Sequence, residues 1–237
     1  MLRPVLALLG ACALAVAACG SDDGDSTASG TSTATTTQQP EAQARTLPAG
    51  CRKVAAPRPK RARERRPSRR LESGRTWTVD LRTNCGTISI RLATGRAPRT
   101  AASFAALVRH GFYDGLTFHR IAGDAASGPF VIQGGDPLGT GAGGPGYSVV
   151  ESPPDDTRYT RGTVAMAKTA TESPGASGSQ FFIVTAEDAE LPAEYALVGR
   201  VAAGEDVVER IASVPTDQNE RPVSPVVIQR ATLGDGS

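Results

Sequence analysis

The chain has 237 residues, 39% of them hydrophobic and only 5% aromatic, with 26 Gly and 17 Pro. That is enough for one or two ordinary domains, and it excludes a membrane helix bundle or a long coiled coil. The formal net charge of +2, from 26 Lys and Arg against 24 Asp and Glu, is a sum over segments of opposite character.

Residues 1–19 carry one positive charge at Arg3, an apolar run from Val5 to Ala18, and then Cys19. The run is too short for a membrane span and reads as an export signal. Its end, Val16-Ala17-Ala18-Cys19, resembles a bacterial lipobox, in which small residues suit the signal peptidase and the Cys sulfur takes a diacylglycerol. The expectation is a lipoprotein signal peptide over residues 1–18, lipidation at Cys19, and an extracytoplasmic protein anchored to the cell membrane by lipid without spanning it. Cys12 leaves with the signal, so Cys51 and Cys85 remain. An even pair in an oxidising compartment predicts one disulfide, worth about 3–4 kcal/mol in the chain-entropy view. No CxxC spacing exists, so neither a zinc site nor a redox-active dithiol is expected.

Residues 19–75 are predicted to be a disordered tether. From Gly20 to Gln43 almost nothing is apolar, so no core offsets the entropy of ordering the segment. Residues 52–75 then form a basic arm, with eleven Lys and Arg against Glu64 and Glu72 and a net charge of +9. Three prolines and like-charge repulsion keep it extended. No aromatic residue is interleaved for base stacking until Trp77, and an exported protein meets little nucleic acid, so nucleic acid is excluded as a partner. Anionic lipid headgroups or an acidic wall polymer is the expected contact. Residues 76–237, by contrast, carry a net charge of −5.

Those 162 residues suit one domain. Trp77–Arg82 and Thr87–Leu92 alternate apolar and polar residues about Asn84-Cys85-Gly86, the pattern of a hairpin. Pro98 to His110 reads as a helix with Phe104, Leu107 and Val108 on one face and Gly111 just past its end. Short runs follow at 116–121, 130–133, 163–167, 180–184 and 196–201. A second helix over 205–212 has Val207, Val208 and Ile211 at helical spacing, and a last strand covers 226–233. Many short strands, Gly/Pro turns and two helices predict an all-β barrel with its ends plugged.

Standard catalytic constellations are missing. Two His, at 110 and 119, leave few members for a triad, and there is no GxSxG or HExxH. The glycine run from Gly134 to Gly146 lacks the lysine and following helix of a phosphate cradle. What does stand out is Phe118-His119-Arg120, then Gln133-Gly134-Gly135-Asp136, then Gly178-Ser179-Gln180-Phe181-Phe182. In this order and spacing they resemble the cyclophilins, a family of peptidyl-prolyl cis-trans isomerases, over residues 77 to 233. The resemblance implies a closed eight-stranded antiparallel barrel with two capping helices, prolyl isomerisation of exported polypeptides, no cofactor and a monomer. A proline-segment-binding chaperone or an adhesion module with little catalysis is the competing expectation.

By the same resemblance, Arg120 is the catalytic arginine and Gln133 orients it. Phe130, Val131, Phe182 and Leu191 match the proline pocket, while Ala167 and Gln180 match contacts to the substrate backbone. Tyr195 replaces a pocket His, Lys168 replaces an Asn on the binding groove, and a pocket Trp is lost near Glu190, which predicts poor sensitivity to cyclosporin. His119 is assigned a structural role. Between Ile121 and Phe130 lie eight residues where the family has fewer, an insertion that bears on substrate access and on where Phe130 sits.

Overall fold

The computed structural model describes residues 46–124 and 128–236. The signal segment, Cys19 and the tether to residue 45 lie outside the described residues, as does the tip of the 122–129 insertion.

The alternating pattern near the start of the domain becomes β1 (Thr76–Thr83) and β2 (Gly86–Leu92), paired antiparallel with Leu81 opposite Ile88 and Val79 opposite Ile90. These four side chains are fully buried, while Asp80 and Arg82 between them face out. The remaining barrel strands are β3 (Thr117–Asp124), β4 (Gly128–Asp136), β6 (Thr163–Met166), β8 (Phe181–Val184), β9 (Leu197–Ala203) and β10 (Val226–Gly236). They close in the order β1-β10-β3-β4-β8-β6-β9-β2, so this eight-stranded barrel has no free edge. Two-residue strands β5 (Val149–Val150) and β7 (Ala176–Ser177) form a small separate ribbon that the sequence pattern did not foreshadow.

Two helices complete the core. Helix α1 (Pro98–Arg109) starts with Pro at its first turn and lacks a side-chain cap of its own. Instead the Glu151 carboxylate accepts the backbone N–H groups of Arg99 and Thr100, which places negative charge at the helix N-terminus. Its Phe104, Leu107 and Val108 join the barrel interior with Val207, Val208 and Ile211 of α2 (Glu205–Ala212). Phe104, Tyr113, Phe118 and Phe181 meet there largely edge to face, at centroid separations of 4.9 to 5.7 Å.

The disulfide forms between Cys51 and Cys85. The tether expectation fails, however, for residues 46–75. They carry no helix or strand, yet they lie on the barrel as a strap and form one compact unit with it. Leu47, Cys51, Ala62 and Leu71, scattered among the arginines, pack against the core. Backbone N–H groups of Arg52, Lys60 and Glu64 donate to the carbonyls of Asn84, Pro137 and Pro145, each at 2.8 Å. Lys60 Nζ donates to the Asp114 carbonyl at 3.0 Å, and Glu64 pairs with His110 Nδ1 at 2.9 Å. Charge density suggests repulsion, but three apolar anchors, one covalent link and a handful of backbone hydrogen bonds outweigh it.

Candidate active site

Three adjacent strands place the sequence-predicted residues side by side. In the register Arg120 on β3 lies opposite Gln133 on β4, and Gln133 lies opposite Phe182 on β8. Strand alternation explains the paired phenylalanines: Phe181 enters the barrel core, and Phe182 turns to the other face. There it belongs to a second apolar cluster, distinct from the core, that contains Val131, Tyr159 and Ala165. Phe130, Ala167, Leu191 and Tyr195 pack against that cluster. Every predicted pocket residue is thus gathered on one outer face.

Phe130 arrives there through a bulge. The β3–β4 register pairs Ala122 with Val131 and Gly123 with Pro129, skipping Phe130. One extra residue reverses the alternation and re-aims the side chain. The 122–129 insertion therefore extends the β3–β4 hairpin, and Phe130 still reaches the pocket, its carbonyl accepting from Thr185 N at 2.9 Å.

Polar residues form a chain beside this wall. Arg120 Nη1 donates to Gln133 Oε1 at 3.2 Å, Gln133 Nε2 donates to Gln180 Oε1 at 3.0 Å, and Gln180 Nε2 donates to the carbonyls of Gly141 and Gly143 at 2.9 Å. The glycine loop is itself fixed by Asp136, whose carboxylate accepts the N–H groups of Leu138, Thr140 and Gly141. Burial alone would raise the Asp136 carboxyl, but these backbone N–H bonds overcome it and hold it below the usual carboxylate range. Gly143 is required there, since a Cβ would come within 2.0 Å of Asp136 Oδ1. Gly135, at φ +85°, lies where a Cβ would meet the Ser179 carbonyl at 2.5 Å.

Two residues in contact with the candidate site escape the sequence reading, Glu220 and Tyr159. Glu220 Oε2 accepts from Arg120 Nε at 2.6 Å, while its other oxygen accepts Gly123 N at 3.3 Å. Glu220 sits in the left-handed region at φ 60°, closing a turn in which Asp217 Oδ1 accepts the N–H groups of Asn219 and Arg221. A carboxylate 100 positions away from Arg120 leaves no periodic trace in the sequence. Tyr159 packs against Phe182 and Tyr195, and its hydroxyl donates to the Tyr195 carbonyl at 2.7 Å. Burial raises that hydroxyl to about 12. A lone Tyr in a loop of Pro and Asp gives no signal either.

Lys168, expected on the binding groove, lies beside Tyr195 of the apolar wall. Its ammonium pairs with Glu194 at 2.9 Å and lies 5.7 Å from the Tyr195 ring centroid, with a side chain only 5% exposed. The charge is thereby taken up beside the pocket wall by Glu194 and the Tyr195 ring. Glu190, near the missing Trp, is exposed in a left-handed turn. His119 is skipped in the β3–β4 register and half-buried, and burial lowers its imidazole against the pull of Asp136. Among the described residues no cluster of three or more His, Cys, Asp or Glu is placed to hold a metal.

Three adjacent strands thus set an apolar wall beside a held guanidinium. Residues 78–233 match the family described as cyclophilin type peptidyl-prolyl cis-trans isomerase/CLD. The chain belongs to that family. Peptidyl-prolyl cis-trans isomerase ppi1 of Schizosaccharomyces pombe is 39% identical over 157 residues, covering 65% of this chain and 96% of the relative. Peptidyl-prolyl cis-trans isomerase A of Mycobacterium tuberculosis is 38% identical over 176 residues, covering 67% of this chain and 92% of the relative. A solved Cryptosporidium parvum cyclophilin superposes with a TM-score of 0.61 at 29% identity, over 68% of this chain and 99% of that one. The same protein has been solved in the presence of the dipeptide Ala-Pro.

Cyclophilin chemistry makes and breaks no covalent bond. It must lower a rotation barrier of about 18–20 kcal/mol set by amide resonance. Twisting the X-Pro bond returns a lone pair to the proline nitrogen, so a donor aimed at it stabilises the twisted amide over the planar one. A guanidinium has five N–H donors and stays charged. In this cyclophilin Glu220 and Gln133 take one N–H each, which holds the plane of the Arg120 guanidinium.

Proposed function

We propose that this prolyl isomerase works outside the cytoplasm on proline-containing segments of exported polypeptides, tethered by lipid at Cys19. The observation that carries the reading is the Cys51–Cys85 disulfide, because such bonds persist in oxidising compartments and are rare in the cytosol. The apolar run ending in Cys19 supports it independently. The Ala-Pro dipeptide used with the Cryptosporidium cyclophilin is the smallest member of the substrate class proposed here. A binding-only chaperone is not favoured, since Arg120, Gln133 and the apolar wall are all in register.

The test is expression of the full chain in a bacterial host fed a labelled fatty acid, with cell fractionation and a prolyl-peptide exchange assay on the detergent-solubilised protein. Label on the wild type but not on Cys19→Ala, a blocked Cys51–Cys85 pair and accelerated exchange are expected. Unlabelled protein with two free thiols in the cytosol would overturn the location, and absent exchange would overturn catalysis.

A further inference from the structure

Five arginines of the strap stand unpaired on a backbone that is itself held. Arg61, Arg63, Arg65, Arg69 and Arg70 are all exposed, and none has a carboxylate partner within ion-pair distance among the described residues. The strap is held instead by its disulfide, its apolar anchors and its backbone bonds to Pro137 and Pro145. These two residues bracket the glycine loop. Between strap and loop runs a groove of about 570 Å³, lined on one side by Arg61 and Arg63 and on the other by Leu138, Gly143 and Gly144. Gly143 is shared with the active site, because its carbonyl accepts from Gln180. Further along the strap a hollow of about 170 Å³ opens between Arg66, Arg69 and Arg70 and Arg99 of α1.

We propose that the strap extends the substrate groove and selects client polypeptides with a run of acidic residues close to the isomerised proline. The sequence alone pointed these cations at an anionic lipid or wall polymer. Two features favour the client instead: the surface is concave, and it shares Gly143 with the residues that hold Arg120. The backbone that carries these charges is already ordered, so binding costs only side-chain freedom, and a row of one sign raises both local concentration and on-rate for an acidic segment. Each exposed pair contributes modestly, so several must act together.

This inference rests on the isomerase reading, and the experiment separates the two. Exchange is measured for matched proline peptides, one neutral and one carrying three acidic residues, placed in turn on either side of the X-Pro bond. The full chain in detergent is used at low and at high salt. For one placement the acidic peptide should show kcat/KM about 5-fold higher at low salt, mainly through KM, with the gain lost at high salt. In Arg61→Ser/Arg63→Ser the ratio between the two peptides should fall to about one. Equal turnover of both peptides by wild type would overturn the proposal, as would a preference that survives the double substitution. If the double variant keeps that preference and loses only binding to phosphatidylglycerol vesicles, the cations serve a lipid surface and the proposal fails. If wild type turns over neither peptide, the isomerase reading fails.

Discussion

We propose that turnover depends on Arg120, which Glu220 and Gln133 divide the labour of holding. Arg120→Ala removes the donor for the twisted amide but only a half-exposed side chain, so kcat/KM should fall by about 100-fold or more while the far-ultraviolet spectrum and melting stay close to wild type. A variant with normal turnover would refute this mechanism. Glu220 acts one step back. It receives Nε at 2.6 Å and ties the guanidinium to the neck of the β3–β4 hairpin through Gly123. Glu220→Ala should lower kcat about 10-fold with little change in KM, because substrate still fills the apolar wall while the donor swings. Glu220→Gln keeps an acceptor and should recover most of the loss, an outcome that a purely structural role for the turn would not produce. Equal kcat for alanine and glutamine variants would show that Glu220 does not position Arg120.

At the scale of elements, periodicity made most of the barrel legible. The hairpin β1–β2, both helices and the strand cores fall where alternation and helical spacing put them, since each has one face in the core. The site was legible for a different reason: Arg120, Gln133 and Phe182 come from short fixed motifs, and closure of the barrel then sets them in adjacent strands. What escaped lacked period or motif. Glu220 is in an irregular turn, Phe130 depends on a bulge that breaks alternation, and β5 and β7 are two residues each. The strap was misread because composition averages over residues, whereas Leu47, Ala62 and Leu71 anchor it one at a time. Its order also depends on the disulfide, which closes a separation of 34 residues onto the fully buried Cys85. Cys51→Ser should therefore lower unfolding free energy in urea by about 3–4 kcal/mol and speed proteolysis within residues 52–75. Unchanged stability would mean that the backbone bonds alone hold the strap.

For the whole molecule, the buried ionisable groups define a pH window of stability. His119, between Asp136, Arg120 and Arg221, has its imidazole lowered mainly by burial, so the folded protein disfavours the proton that the unfolded chain takes up near pH 6.5. The unfolded state then binds more protons below that pH, and stability should decline as pH falls from about 6.5. Asp136 shows the other acidic limb. Its carboxyl is lowered from 3.8 by the glycine-loop amides, so its contribution is present above that value and is lost as pH falls further, loosening the loop that holds Gln180. On the alkaline side, burial raises Tyr113 and Tyr159, so the folded state keeps phenol protons that the unfolded chain releases above about pH 10, and stability falls again. Urea midpoints measured from about pH 2 to 11 should trace a plateau between these limits. The decisive comparison is His119→Gln, which takes up no proton there: its midpoint should be nearly flat from pH 7 to 5, where wild type declines. Parallel curves for the two proteins would assign the acid limb to other groups and leave His119 without that role.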